Sequence, residues 1–133
     1  MRTSSLKNIL IIEDNRDYQT LLTFSHQRSK NACLYDFADS AEHAHRLLAG
    51  KQSVPEVVLI DYDLPGRNGI DFLDELKQLP EYTTVPVFMF SFYETPQMVR
   101  EAYAHGVTAF IKKPDDYTSL VNMWSGLSSH SIQ

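Results

Sequence analysis

Apolar runs too short for helices alternate along this chain with stretches whose apolar residues recur at helical spacing. Ile9, Leu10, Ile11 and Ile12 are consecutive, so the run 6–12 predicts a strand buried on both faces. The stretch 16–28 carries Tyr18, Leu21, Leu22 and Ser25 at helical spacing. A short second strand is expected over 33–37. Asp39 and Glu42 then read as a capping box, opening a helix that runs through Leu47 and Leu48 and stops at Gly50. The third strand, 57–61, ends in an acid. Ile70, Phe72, Leu73 and Leu76 mark a third helix that Pro80 closes. A fourth strand over 85–90 leads to Thr95-Pro96, a cap followed by proline at the first helical position, and that helix ends at His105-Gly106. A short fifth strand covers 109–111. Leu120, Val121, Trp124 and Leu127 mark the last helix, and the polar residues 128–133 are expected to fray.

The order is strand then helix, five times over. Such alternation predicts a five-stranded parallel sheet with five helices on its two faces, joined by right-handed crossovers. With 133 residues, no repeat and no linker, the expectation is one domain over 1–133 with its core in about 7–127. A hydrophobic content of 43% and a charged content of 22% fit an ordinary globular chain. The net charge of −5 and the lack of a basic stripe argue against nucleic acid as a partner. The single cysteine, Cys33, leaves no internal disulfide and reads as a small buried hydrophobe. Neither an apolar leader nor a run long enough to span a membrane is seen, so a cytoplasmic location is expected.

Parallel strands deliver their C-terminal ends to one edge of the sheet. Strand one ends in Glu13 and Asp14, strand three in Asp61 with Asp63 two residues on, strand four in Ser91, and strand five in Lys112, Lys113 and Pro114. If strands one and three are neighbours, the acids meet at the topological switch point. Crowded carboxylates raise one another's pKa values, a cost that a cation or a reaction justifies. Oxygen-only ligands favour a hard ion such as Mg²⁺. A metal, an ammonium and a hydroxyl around a carboxylate can clamp a transferring phosphoryl group, and the carboxylate can act as its nucleophile. Each signal is weak alone, since an acid pair often serves a helix N-terminus and a lone Ser or Lys is often only solvated. Their joint occurrence at four strand ends carries the argument.

These residues resemble the response-regulator receiver domain, the phosphoacceptor module of two-component signalling, over 7–127. Ile11-Ile12-Glu13-Asp14-Asn15 is similar to the family's acidic pair, and Leu59-Ile60-Asp61-Tyr62-Asp63-Leu64-Pro65-Gly66-Arg67-Asn68-Gly69 to its phosphoacceptor loop. Pro86 to Ser91 is similar to the fourth strand with its terminal hydroxyl, and Gly106 to Pro114 to the fifth strand with its Lys-Pro pair. The resemblance implies a flavodoxin-like sheet of strand order 2-1-3-4-5 in a stand-alone receiver of bacterial type. It implies that Asp61 is phosphorylated by a histidine kinase or a histidine phosphotransfer protein. It implies Mg²⁺ held by Asp14, Asp61, Glu13 through water, and the backbone carbonyl of Asp63. Ser91 and Lys113 would meet the phosphoryl oxygens, and Phe110 would be the aromatic that turns with Ser91. The Lys113–Pro114 bond would be cis. The chain would not be an enzyme beyond its own phosphorylation and slow dephosphorylation. The last two helices and last strand would contact a downstream protein or a second copy, with Tyr103, Met98 and Trp124 as candidates, although core spacing favours packing for Trp124.

Two positions depart from the pattern. The residue after the switch hydroxyl is usually small, and here it is Phe92; its ring could narrow access to the site or point away. Asp63 adds a fourth carboxylate. Together they lead to the expectation of slow autodephosphorylation. His43 and His45, two apart on one helix, point to different sides and cannot share a metal. Two other functions compete. One is a pseudo-receiver acting only as a protein-binding module. The other is a haloacid-dehalogenase-like phosphatase, suggested by Asp61-Tyr62-Asp63 but disfavoured by Pro65 and by the motif's place after the third strand.

Overall fold

A computed structural model of the protein describes residues 7–29, 33–50 and 54–130. Five strands form one parallel sheet: β1 (Lys7–Ile12), β2 (Cys33–Ala38), β3 (Val57–Asp61), β4 (Val87–Ser91) and β5 (Ala109–Lys112). Their order across the sheet is 2-1-3-4-5. β1 pairs with β2 (Ile12 with Ala38) and with β3 (Ile12 with Ile60), β3 pairs with β4 (Asp61 with Phe90), and β4 pairs with β5 (Ser91 with Lys112). The helices are α1 (Arg16–Ser29), α2 (Ala41–Ala49), α3 (Gly69–Lys77), α4 (Pro96–Ala104) and α5 (Tyr117–His130). The expected fold class is therefore the observed one.

Strand side chains alternate between two faces, and the core divides accordingly. Leu10, Ile12, Val58, Ile60, Val87 and Met89 join Ala41, Phe72, Leu73 and Ala102 in the layer under α2, α3 and α4. Ile9, Ile11, Val57, Leu59, Phe88 and Phe90 join Tyr18, Leu22, Leu120, Trp124 and Leu127 in the layer under α1 and α5. Each such apolar side chain stabilises the fold by roughly 1.5–3 kcal/mol in transfer terms. Trp124 is fully buried. Its indole N–H donates to Leu22 O at 3.1 Å and to Ser25 Oγ at 2.9 Å, tying α5 to α1. The packing role expected of Trp124 holds. Cys33 is buried, and burial pushes its thiol above the usual range.

Local chemistry differs from expectation at several ends. The cap of α2 is Ser40, not Asp39: its Oγ accepts from His43 N–H at 3.1 Å, and His43 Nδ1 accepts from Asp39 N–H at 3.0 Å. Histidine thus supplies the reciprocal bond assigned to Glu42. His45 instead meets Glu75 Oε1 at 2.8 Å, so the two histidines do point to different partners. The cap of α4 is Thr95 with Pro96 at the first helical position, as expected. The tail expected to fray from Ser128 stays helical to His130, while 131–133 lie outside the described residues. Between β3 and α3 a two-residue antiparallel ladder, Asp63–Leu64 with Arg67–Asn68, folds the loop on itself. Pro65 and Gly66, the latter at φ +78°, turn it; an L side chain rarely adopts that φ.

Candidate functional site

The alternation that divides the core also sorts the strand ends. Glu13, Asp61 and Lys113 continue the series Ile9-Ile11, Val57-Leu59 and Ala109-Ile111 and so fall on the α1/α5 side. Ser91 and Phe110 belong to the opposite series, with Met89. Glu13 N–H donates to Ala38 O at 2.9 Å, extending the ladder past β1 and burying the Glu13 side chain completely. Asp61 is 3% exposed at the end of β3, and Asp14 is exposed. One carboxylate oxygen each from Glu13, Asp14 and Asp61 lie within 4.8 Å of one another.

Lys113 Nζ sits between two of these acids, 3.1 Å from Asp61 Oδ2 and 2.7 Å from Glu13 Oε1. The contact with Asp61 is a hydrogen bond, whereas Glu13 Oε1 accepts no aligned bond and meets only the charge. Glu13 Oε2 accepts from Asn15 N–H at 2.9 Å. Asp61 Oδ1 accepts from Asp63 N–H at 2.9 Å. Burial, and then the Glu13 charge, push the Asp61 carboxyl up to about 7; Lys113 and the Asp63 N–H oppose the rise without cancelling it. Burial and the Glu13 charge outweigh the pairing with Lys113, so the Asp61 carboxylate is disfavoured and a further cation would relieve it. The oxygen-only donor set and the unaligned buried Glu13 Oε1 fit a hard divalent cation.

The other side of Lys113 is aromatic. Its Nζ lies over the rings of Phe92, Tyr18 and Phe90, at 4.6, 4.8 and 4.9 Å from their centroids. Tyr18 and Phe90 are buried, and Phe92 is about half exposed. Tyr18 Oη donates to Pro114 O at 3.0 Å, and burial with the nearby Glu13 and Asp61 charges holds its phenol well above the usual range. On the α3/α4 side, Ser91 is fully buried and its Oγ donates to Asp63 Oδ2 at 3.2 Å while accepting from Tyr93 N–H at 3.1 Å. Phe110 is half buried, its ring 6.4 Å from that of Tyr62, and its N–H donates to Tyr103 Oη at 3.4 Å.

Residues 9–125 match the family described as response regulator receiver domain. The chain belongs to that family. Among curated relatives it is 27% identical over 108 residues to the cyclic di-GMP phosphodiesterase response regulator RpfG of Xanthomonas campestris, covering 80% of this chain and 28% of that protein. It is 24% identical over 123 residues to a 14.6 kDa protein of Leptolyngbya boryana, covering 92% and 91%. It is 30% identical over 118 residues to the two-component response regulator ORR1 of rice, covering 80% and 48%. Of solved structures, the phosphorylated cyanobacterial phytochrome response regulator RcpA superposes with a TM-score of 0.83 at 22% identity, covering 97% of this chain and 96% of that one. The Mn(2+)-bound response regulator Rcp1 superposes at 0.77 and 23% identity, covering 92% of each chain.

Six of the seven site residues expected of this receiver reach one edge of its sheet, Phe110 lying within β5 opposite Met89, and they are not equally engaged. Glu13, Asp61 and Lys113 form one charged cluster that Asp14 joins through its carboxylate. Ser91 is engaged by the side chain of Asp63, and Phe110 stands apart against Tyr62. The cis bond implied at Lys113–Pro114 is absent: no cis peptide occurs among the described residues. Trans is the default even before proline, and Tyr18 grips the Pro114 carbonyl in this form. Phe92 takes neither extreme allowed by the sequence, since its half-exposed ring packs edge-on against Tyr18 at 5.4 Å while facing Lys113. Sequence reasoning treated Tyr18 as a core position and gave Phe90 no role at the site. The available signal was register, because Phe90 pairs with Asp61, and Tyr18 lies one helical turn past Asp14. Gly69 also went unremarked as packing: a Cβ there would come within 2.5 Å of Asp61 O.

Proposed function

We propose that this receiver accepts a phosphoryl group onto Asp61 from the phosphohistidine of a histidine kinase or a histidine phosphotransfer protein. The observation that carries the reading is the cluster itself: a buried Asp61 with two further carboxylates within 4.8 Å and an ammonium 3.1 Å from its Oδ2. An Asp61 oxygen forms the new O–P bond as the P–N bond of the donor breaks. The electron pair leaves with the imidazole, which takes up a proton. Asp14 and Asp61, Glu13 through water, and the Asp63 carbonyl would hold Mg²⁺. When bound, that ion neutralises charge on the phosphoryl oxygens. Lys113 pairs with one of those oxygens. Ser91 gives up Asp63 Oδ2 to donate to another, and Phe110 follows it inward. One carboxylate is consumed per transfer, so the chain is an acceptor and not an enzyme.

The face formed by α4, β5 and α5 is the proposed contact for a downstream protein or a second copy, in cytoplasmic signalling. Among the described residues no helix is long and apolar enough to cross a membrane. Phe92 over Lys113 and the added charge of Asp63 both disfavour an attacking water, which supports a long-lived phospho-form; a lifetime of seconds would count against it. The test of acceptance is incubation with Mg²⁺ and acetyl phosphate followed by intact mass. We expect one added HPO₃ in the wild type and none in Asp61→Asn. No adduct in the wild type would leave only the binding-module reading.

A further inference from the structure

The ammonium of Lys113 is enclosed by carboxylates and by aromatic rings. Its side chain is 4% exposed, with carboxylates on one side and three ring faces at 4.6–4.9 Å on the other. A lysine head group is normally a strongly hydrated point charge on a flexible stem. Here π faces take the place of water, an attraction that strengthens when the cation is desolvated. Two rings belong to fixed elements, Tyr18 in α1 and Phe90 in β4, and both are buried. The third, Phe92, is 47% exposed and follows Ser91 directly in the chain.

From this geometry we infer that Phe92 is a positioning residue: with Tyr18 and Phe90 it forms a three-ring cage that holds the Lys113 ammonium against Asp61. The inference rests on the phosphoacceptor reading for its consequence, though not for the cage. Tyr18 and Phe90 are the buried walls of the cage, and the half-exposed Phe92 is its wall nearest solvent. Because Phe92 adjoins Ser91 and the Ser91 hydroxyl accepts from the Tyr93 N–H at 3.1 Å, a backbone movement that carries Ser91 also moves this outer wall. Ser91 and Lys113, on opposite sides of the sheet edge, are thereby coupled through one side chain.

A cage and a steric lid make opposite demands on Phe92. A cage needs a π face, so Phe92→Leu and Phe92→Ala both weaken it and Phe92→Trp restores it. A lid needs only bulk, so Phe92→Leu behaves as wild type and Phe92→Ala opens the site. Two measurements separate these. The first is the NMR shift of the Lys113 ε-methylene in protein labelled at lysine, which ring currents displace upfield. The second is the phosphorylation rate with acetyl phosphate and Mg²⁺. We expect the Leu and Ala variants to lose part of the upfield displacement and to accept phosphoryl about three- to tenfold more slowly. The Trp variant should keep both at or above wild type. An unchanged Lys113 shift in Phe92→Leu would overturn the cage, and so would a rate that rises as the side chain shrinks. If even the wild type takes no phosphoryl group, the phosphoacceptor reading fails while the shift still decides the cage. Phe92 is half exposed, so all three variants should retain the wild-type amide spectrum away from the site.

Discussion

The two walls of the acidic site are built on opposite principles. On the α1/α5 side, the dry wall, Lys113 is buried between two carboxylates and three rings, its side chain only 4% exposed. On the α3/α4 side, the buried Ser91 hydroxyl is held by the exposed Asp63 and by one backbone N–H of an exposed loop. The first wall carries strong electrostatics in a fixed geometry; the second carries one 3.2 Å hydrogen bond that a better acceptor can displace. The proposed phosphoryl acceptance would draw on both. A fixed cation saves reorganisation at the moment of transfer, and a weakly held hydroxyl leaves the resting state when the phosphate arrives.

Removing the fixed cation should break the comparison most severely. Lys113→Met leaves Glu13 and Asp61 buried side by side without their shared counter-charge. In chelator at pH 8, denaturant unfolding should show a loss on the order of 3 kcal/mol. Saturating Mg²⁺ should recover part of it. A loss below that of an average surface change would mean that the lysine adds little to the dry wall. The floor shared by both walls is next. In Gly69→Ala the new Cβ would press on Asp61 O at 2.5 Å and Ile60 Cγ2 at 2.9 Å, and backbone cannot yield as a side-chain tip does. We expect about 2 kcal/mol of destabilisation together with slowed phosphorylation. Unchanged stability would mean that α3 shifts freely.

How much of this was legible beforehand follows from what each feature depends on. The sheet and its edge were legible because Ile9 to Ile12 and Val57 to Ile60 are buried runs that only a doubly covered strand accommodates, whereas the strand order came with the family resemblance. Glu13, Asp14 and Asp61 were legible because they end those runs, and Lys113 because it follows the fifth strand. The Ser91–Asp63 bond and the ring cage were not, since both depend on side-chain direction past the strand ends. Asp63 carries its backbone toward Asp61 while its carboxylate turns to Ser91. The α2 cap was misplaced by one residue because histidine's ring nitrogen can do what a capping carboxylate does. The trans Lys113–Pro114 bond departs from a family habit that nothing in the residues themselves dictates.

The charge imbalance of the dry wall gives the next test, with a definite sign. Asp61 holds its proton up to about 7 when folded, against an ordinary carboxylate value of 3.8 when unfolded. At pH below the ordinary value both states are protonated and nothing is lost. As pH rises from there through about 7, the unfolded state sheds the proton first, so folding stability falls. Above about 7 the cost is complete and constant. Asp61→Asn removes the charge and with it the cost. Without divalent metal the variant should match wild type near pH 4 and exceed it by about 1 kcal/mol or more at pH 8. A variant that is less stable at pH 8 would show that Lys113 outweighs burial and Glu13.

The open wall yields the smallest effect and the sharpest contrast. Asp63→Ala takes from Ser91 its resting acceptor and removes a carboxylate from the approach of an anionic donor. Asp63 is exposed, so the fold should be left within about 0.5 kcal/mol of wild type. Acceptance from acetyl phosphate should instead quicken about threefold, the factor that about 0.7 kcal/mol of relieved repulsion and released hydroxyl gives. The double variant with Ser91→Ala separates the two contributions: if the gain survives without the hydroxyl, it is repulsion alone, and if it vanishes, the Ser91–Asp63 bond is what held the resting state. A slower Asp63→Ala would reverse the picture, because the carboxylate would then be aiding Ser91 toward the phosphate and not restraining it.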